Sequence, residues 1–119
     1  MRGTMIILRP ADTEPEVVQL NRAPTLEELQ TAVGGYIEHV PYFDSIAYGG
    51  VVMRCVALCN ENGKIDHMPL NQGATVAWER ALQRTGVGTL YDDKTGKPND
   101  WLVGSIAVLF GDREFMSEL

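Results

Sequence analysis

The stretch that most constrains the fold is an amphipathic segment between positions 71 and 86. Asn71 has the side chain of a helix N-cap, and Gly86 can adopt the left-handed conformation that ends a helix. The apolar residues between them recur at helical spacing and predict a helix over about residues 72 to 85. Its predicted apolar face consists of Ala74, Ala77, Trp78, Ala81 and Leu82. Because such a helix is stable only against another apolar layer, the rest of the chain must supply one.

Strand-like segments predict that layer. Residues 4–10 and 16–23 have the alternation of a hairpin, and the run VVMRCVALC at 51–59 predicts the most buried strand. YIEHVPYF at 36–43 predicts a strand that Pro41 restricts to an edge or an end, and WLVGSIAVLFG at 101–111 predicts the last strand. We expect a loop at 44–50. Asn62-Gly63 predicts a two-residue hairpin turn that returns the chain through residues 64–68.

A shorter helix is predicted ahead of the third strand. Thr25 and Glu28 have the spacing of a capping box, and Leu26, Leu29 and Val33 then share one helix face. Either Gly34 or Gly35 would end this helix, and REFMSEL at 113–119 predicts a final helical turn. The whole pattern predicts a single α+β domain over residues 1–119, with a mainly antiparallel sheet of about five or six strands and two helices packed on one face.

Composition narrows the function classes. The 119 residues are 45% hydrophobic and 22% charged, with a formal net charge of −6. No cluster of Lys and Arg is present to neutralise phosphates, so nucleic acid is not an expected partner. No apolar run has the length of a membrane span or a signal peptide, so we expect no membrane partner and a cytoplasmic protein. Cys55 and Cys59 are expected to be reduced, buried thiols with no metal role.

Catalytic motifs are not found, so we expect a protein that is not an enzyme and needs no cofactor. His39 and His67 are the two histidines, and neither lies in a nucleophile elbow or a catalytic-cysteine context. Glu38 and His39 are neighbours in a predicted strand, so their side chains face opposite ways and cannot serve one substrate. The segment NENGKID resembles the centre of a calcium loop but lacks ligands at its first and last positions.

Two segments are candidates for ligand binding. Gly35 and Tyr36 would let a flat ligand approach the main chain beside an aromatic wall. The start of the second helix exposes amide donors and the positive end of the helix dipole, where the side chains of Asn71, Gln72 and Thr75 would hold a phosphate. Arg54 would pair with that phosphate, and Arg80 is also available. A purely structural alternative is open: the glycines only end a helix, and Asn71 only caps one.

Three blocks of the chain resemble a known family. LEELQTAVGGYIEHV, CNENGKIDHMPLNQGATVAWE and DWLVGSIAVLFGD are similar to the pattern of the DUF3846 family of short uncharacterised proteins from phages and bacteria. The segments PYFDSIAYGG and GTLYDDKTGKPND are longer than in that pattern. The resemblance implies a phage or mobile-element setting and no established activity. Small proteins in such settings often counter host defence by sequestering a nucleotide signal or by blocking a protein.

The leading hypothesis is therefore a non-enzymatic protein that binds a nucleotide-like small molecule, as a homo-oligomer, through the six residues Gly35, Tyr36, Arg54, Asn71, Gln72 and Thr75. The alternative is an acidic inhibitor that binds a basic host protein. Its binding surface would combine the acidic termini with four aromatic residues, Tyr36, Tyr42, Phe43 and Tyr48. Exposure of Tyr42, Phe43 and Tyr48 as one patch, with no cavity near Asn71, would favour the inhibitor.

Overall fold

The fold is built on a five-stranded antiparallel sheet. A computed structural model describes all 119 residues. The strands of the main sheet lie in the order β2-β1-β7-β6-β3, and a separate hairpin pairs β4 with β5. The strands are β1 (Gly3–Leu8), β2 (Glu16–Leu20), β3 (Ile37–His39), β4 (Ser45–Tyr48), β5 (Val51–Arg54), β6 (Val56–Asn60) and β7 (Ile106–Gly111), and the helices are α1 (Leu26–Val33), α2 (Gln72–Thr85) and α3 (Arg113–Ser117). No helix combines the length and the apolar composition that crossing a membrane requires.

The central strands are buried on both faces. In β1, Ile6 belongs to one apolar cluster while Met5 and Ile7 belong to another, as expected from the alternation of strand side chains. Strand β7 behaves in the same way, with Val108 in the first cluster and Leu109 in the second. A strand that is apolar on both faces needs a covering layer on each side.

The two main helices provide these layers on opposite faces. Trp78 and Leu82 of α2 pack in the cluster that contains Ile6, and the β4–β5 hairpin adds Ile46 to the same side. Val33 of α1 packs in the other cluster, together with Phe115 of α3. The α+β class and the mainly antiparallel sheet are confirmed, but the expected placement of both helices on one face is corrected. The physical reason is the continuous apolar run of β7, which exposes apolar side chains to both sides of the sheet.

Local predictions near the chain ends and helices are confirmed. The first two strands pair as an antiparallel hairpin, and Thr25 and Glu28 form the capping box of α1. Asn71 caps α2, and Gly86 ends it with a φ of 70°. The predicted final turn is α3.

Three predictions in the middle of the chain are wrong. Residues 44–50, expected to be a loop, contain β4, and the run 51–59 divides at Cys55 into β5 and β6, which belong to different sheets. Residues 64–68 form no strand. The Asn62-Gly63 pair lies in a run of turns, where a Cβ at position 63 would lie 2.9 Å from Cγ2 of Val103. Gly63 is therefore explained by a close approach of Val103 and not by a hairpin turn.

Candidate functional site

Asn71, the first residue of the predicted phosphate site, is buried and fully engaged in hydrogen bonds. Only 1% of it is exposed. Its Oδ1 accepts from the amide of Ala74 at 3.0 Å, which caps α2, while Nδ2 donates to the carbonyls of Leu8 and Gly104 at 2.8 Å each. The side chain thus joins α2 to the end of β1 and to the segment before β7. It has no group left to hold a ligand.

Thr75 is used in the same network. Its Oγ1 donates to the carbonyl of Asn71 at 2.8 Å and accepts from the amide of Leu102 at 2.9 Å. Buried polar groups are satisfied in this way when they fix a loop to a helix. Gln72 is exposed, and with Thr75 it borders a shallow surface that also contains Tyr91 and Trp101. Asn71 and Thr75 are therefore structural residues.

The two consecutive glycines also have structural explanations. Gly34 adopts φ 79° as the C-cap of α1, and its amide donates to the carbonyl of Gln30. A Cβ on Gly35 would lie 2.7 Å from Nδ2 of Asn60, which donates to the carbonyl of Val33 at 3.3 Å. The second glycine is required because the Asn60 side chain crosses the end of the helix there. The close approach expected at Gly35 is made by another part of the chain.

The six predicted site residues do not form one site. Tyr36 is 68% exposed and lines none of the five main cavities. Arg54 lies on β5 and borders two surface cavities, one with Asp112 and one with Asp44, and neither contains any other predicted residue. The predicted pairing of Arg54 with the start of α2 is therefore not seen.

A different cavity lies along one side of α2, and we call it the arginine cavity. It has a volume of about 180 Å³ and lies between α2, the β1–β2 connection and β4. Arg9, Arg80 and Arg84 line it, together with Gly73 and one side of Asn71. Arg80 and Arg84 are four residues apart, so they lie on the same side of the helix.

The three arginines differ in how much of each guanidinium is already engaged. Arg80 makes no hydrogen bond or ion pair with another side chain. Arg84 donates through Nε to Oγ of Ser45 at 2.8 Å, which leaves its two terminal nitrogens free, while Arg9 pairs with Glu16 at 2.7 Å. Asp12 and Glu14 also line the cavity, so its side chains carry three positive and two negative charges. The lining is positive by one charge in a protein of net charge −6.

A backbone donor adds to this positive character. Asn71 caps the amide of Ala74, whereas the amide of Gly73, which lines the cavity, precedes the first intrahelical bonds of α2. Gly73 has no side chain over its backbone, and a Cβ there would have as its nearest neighbour Oδ1 of Asn71 at 4.0 Å. The arginine cavity thus presents guanidinium groups along α2 and the first turn of the helix at one end, and both attract anions. The helical spacing of Arg80 and Arg84 was the sequence signal for this arrangement. The contribution of Arg9 depends on the tertiary fold.

The cysteines provide no nucleophile. Burial raises the pKa of Cys55 to about 12, and the nearby Asp44 carboxylate acts in the same direction. Burial likewise raises the pKa of Cys59 to about 11, with a smaller contribution from Glu38. Both thiols stay protonated near neutral pH, and a protonated thiol is a poor nucleophile.

Together these features define a small α+β domain with helices on both faces of its main sheet and an arginine-lined cavity beside its longest helix. The chain belongs to the family described as domain of unknown function (DUF3846), which matches residues 1–117. No curated protein matches the chain. No solved structure matches it either.

Proposed function

We propose that this protein is a non-catalytic binding protein that sequesters a nucleotide-like anion through the arginine cavity. The observation that carries the proposal is a single cavity lined by Arg9, Arg80 and Arg84 that extends to Gly73 in the first turn of α2. Arginine binds phosphate through charge-assisted, often bidentate hydrogen bonds, and uncapped helix amides bind the same group. The cavity replaces the Asn71, Gln72 and Thr75 side chains as the phosphate-binding part of the hypothesis.

The size of the cavity limits what it can hold. Pockets for small molecules usually have volumes of about 300–1,000 Å³, whereas this one has about 180 Å³. A phosphate or ribose phosphate fits such a space, and the base of a nucleotide would extend beyond it. A second copy of the chain would supply the missing surface, so we propose a homo-oligomer for the complete site. Strand β2 is an edge of the main sheet, and an uncovered edge is available for pairing with a second copy.

The phage or mobile-element setting of the proposal suggests which ligands to test. Cyclic dinucleotides, cyclic mononucleotides and ADP-ribose derivatives share a phosphate with an aromatic base, and such molecules serve as host signals. A thermal-shift and calorimetry screen against these three groups is the direct test. A ligand at one hundred times its dissociation constant stabilises the folded state by about 2.7 kcal/mol, which a melting curve resolves. Light scattering with and without the ligand tests the homo-oligomer.

Arg80→Ala is the sharpest variant, because Arg80 is exposed and its loss leaves no other side chain without a partner. We expect it to weaken binding of the ligand found in the screen by about tenfold or more while the melting temperature stays nearly unchanged. Arg54→Ala is the matched control, since it removes the same charge at a cavity on β5. Loss of binding in the Arg54 variant alone would move the site to β5 and contradict the assignment to the arginine cavity.

Gly73→Ala tests the backbone part of the site. The added methyl group has open space, so the fold should tolerate it, and alanine favours a helix more than glycine does. We expect weaker anion binding with an unchanged or higher melting temperature, because the methyl group would take up space in the cavity lining beside the Gly73 amide.

The aromatic patch expected for the acidic-inhibitor alternative is not formed. Phe43 is buried and Tyr48 packs on Phe110, so Tyr42, Phe43 and Tyr48 do not form one exposed patch, and a cavity does lie beside Asn71. No thermal shift with any ligand of the panel, together with specific retention of a host protein on a column of the purified chain, would nevertheless favour that alternative over nucleotide binding.

A further inference from the structure

A second cavity, on the other side of α2, has the opposite chemistry. It has a volume of about 250 Å³ and shares no lining residue with the arginine cavity. We call it the acidic aromatic cavity. The tryptophans and charged residues that line it are Trp78, Trp101, Glu38, Glu61, Asp100 and Lys64. These side chains carry three negative charges and one positive charge. Apolar side chains, among them Val40 and Leu102, complete the lining.

The two tryptophans differ in their exposure to solvent. Trp78 is buried, and its Nε1 donates to the carbonyl of Pro41 at 2.8 Å, which fixes the ring. Trp101 is 39% exposed, so part of its ring is open to solvent. A tryptophan face attracts cations through the negative charge of its π system, and it does so more strongly than the other aromatic rings. The cavity thus combines a fixed apolar wall with a ring that is open to a cation.

An ammonium group already lies in this cavity. Nζ of Lys64 is 4.9 Å from the centroid of the Trp101 ring and forms an ion pair with Asp100. A bound organic cation would make these same two interactions. The side chains of Lys64 and Asp100 are each about half exposed, and ion pairs of this exposure contribute little to stability. Displacing Lys64 from the ring is therefore a small cost for a ligand.

The remaining groups of the cavity do not oppose a cation. Burial and the neighbouring Glu38 hold the pKa of Cys59 at about 11, so its thiol is neutral. Removal of the Lys64 ammonium from the site would leave three carboxylates and no cation in the lining. No three carboxylate, histidine or cysteine side chains are grouped closely enough to hold a metal ion.

We propose that the acidic aromatic cavity binds an organic ammonium group on a short aliphatic chain, and that the ammonium of Lys64 occupies the position this group takes. The ligand ammonium lies over Trp101 and pairs with Asp100, and its aliphatic part contacts the apolar side chains beside Trp78. A free amine and a lysine side chain of another protein share this chemistry. The proposal does not depend on the arginine cavity.

The test is a titration of the ¹⁵N-labelled chain at constant ionic strength, followed through the amide signals of Asp100 and Leu102. Choline is the first probe, and 3,3-dimethylbutan-1-ol, its uncharged analogue of the same shape, is the control. We expect saturable shifts with choline and none with the alcohol. Nα-acetyl-lysine methylamide, which keeps the charged side-chain ammonium, is titrated in parallel to distinguish the two sources. Tighter binding of choline indicates a free amine, and tighter binding of the lysine derivative indicates a protein side chain.

Variants separate the proposal from unspecific attraction to an acidic surface. Lys64→Gln removes the internal competitor and should tighten choline binding by about threefold to tenfold, whereas Lys94→Gln, in an exposed loop, should change it by less than twofold. Asp100→Asn keeps an oxygen for the Trp101 amide and should weaken binding by about fivefold, with Asp93→Asn as its control. Trp101→Leu should weaken binding most.

Three results would overturn the proposal. One is the absence of saturable shifts at 50 mM choline in both the natural chain and the Lys64→Gln variant. Another is equal affinity in the natural chain and in the folded Trp101→Leu and Asp100→Asn variants, with folding established by their melting curves. Equal tightening by Lys64→Gln and Lys94→Gln would likewise reduce the effect to overall charge and contradict a defined site.

Discussion

The two main helices begin with the same kind of capping bond but are anchored in different ways. At the start of α1, Thr25 and Glu28 bond each other's amides, and Arg22 adds an ion pair, so every partner lies within six residues on the surface. At the start of α2, Asn71 is buried and reaches carbonyls 63 and 33 residues away in sequence. A local cap stabilises one helix end. A long-range cap also fixes how the helix sits on the sheet.

The largest expected effect in this comparison is that of Asn71→Ala. The variant removes the cap of Ala74 and leaves the carbonyls of Leu8 and Gly104 without their donor. A lost cap costs about 1 kcal/mol, and the buried Gly104 carbonyl left unpaired adds about 1–3 kcal/mol, so we expect a loss of roughly 3 kcal/mol. Urea denaturation measures it.

Asn71→Ser is the informative partner variant, because serine can still cap the helix but cannot reach both carbonyls. If the long-range bonds dominate, Asn71→Ser should be nearly as unstable as Asn71→Ala. If Asn71→Ser recovers most of the stability, the cap of Ala74 alone accounts for the effect. The long-range hydrogen bonds of Asn71 would then not distinguish the start of α2 from the start of α1.

Thr75→Val should have the next largest effect. Valine has nearly the same shape, but it leaves the buried amide of Leu102 and the carbonyl of Asn71 without the hydroxyl. We expect a loss of about 2 kcal/mol, because an unpaired buried donor costs more than a hydrogen bond contributes. Thr75→Ser retains the hydroxyl and should recover most of that loss in the same denaturation experiment. Equal losses in both variants would assign the effect to packing.

Gly35→Ala extends the comparison to the end of α1. The new methyl group would lie 2.7 Å from Nδ2 of Asn60, which must then move and weaken its bond to the carbonyl of Val33. We expect a loss of about 1 kcal/mol, the usual contribution of such a hydrogen bond. In a chain that already carries Asn60→Ala, Gly35→Ala should lower the free energy of unfolding by less. Equal costs in both backgrounds would show that Gly35 does not serve the Asn60 contact.

The sequence was sufficient to predict elements that depend on neighbouring residues. The capping box at Thr25, the cap at Asn71, the stop at Gly86 and the first hairpin all follow from patterns a few residues long. The division of 51–59 at Cys55 could not be predicted, because it depends on which sheet each half pairs with. The placement of α1 and α2 on opposite faces was also missed, although the continuous apolar run of β7 contained its signal.

The candidate site was harder to predict for a related reason. Asn71 and Thr75 have side chains suited to phosphate, and the sequence does not show that carbonyls and amides from distant segments use them first. Arg80 and Arg84 are long and lie on the helix surface, so they keep free donors. In α2 the short polar side chains at its start are used in hydrogen bonds within the fold, whereas the long charged side chains further along it keep free donors.

The smallest expected effect concerns Glu28 and depends on pH. The Arg22 guanidinium, followed by the Thr25 amide, lowers the pKa of Glu28 to about 2. A carboxylate with a lowered pKa stabilises the folded state above its unfolded pKa of about 4.3, and this stabilisation is lost as the pH falls toward 2. Glu28→Gln keeps an acceptor for the Thr25 amide but has no charge to lose. The melting temperature of the natural chain should therefore exceed that of the variant at pH 6, and the two should converge near pH 2.

Glu27→Gln is the matched control, because Glu27 lies in the same first turn without a side-chain partner. The difference in melting temperature between Glu27→Gln and the natural chain should change less between pH 6 and pH 2 than the difference for Glu28→Gln. The start of α2 provides the contrast within one molecule, since Asn71 does not titrate and the loss caused by Asn71→Ser should be the same at both ends of that range, provided the folded state persists. If the difference in melting temperature between Glu28→Gln and the natural chain is independent of pH, the ion pair with Arg22 contributes nothing to the start of α1. The cap of α1 would then depend on hydrogen bonds alone, as the cap of α2 does.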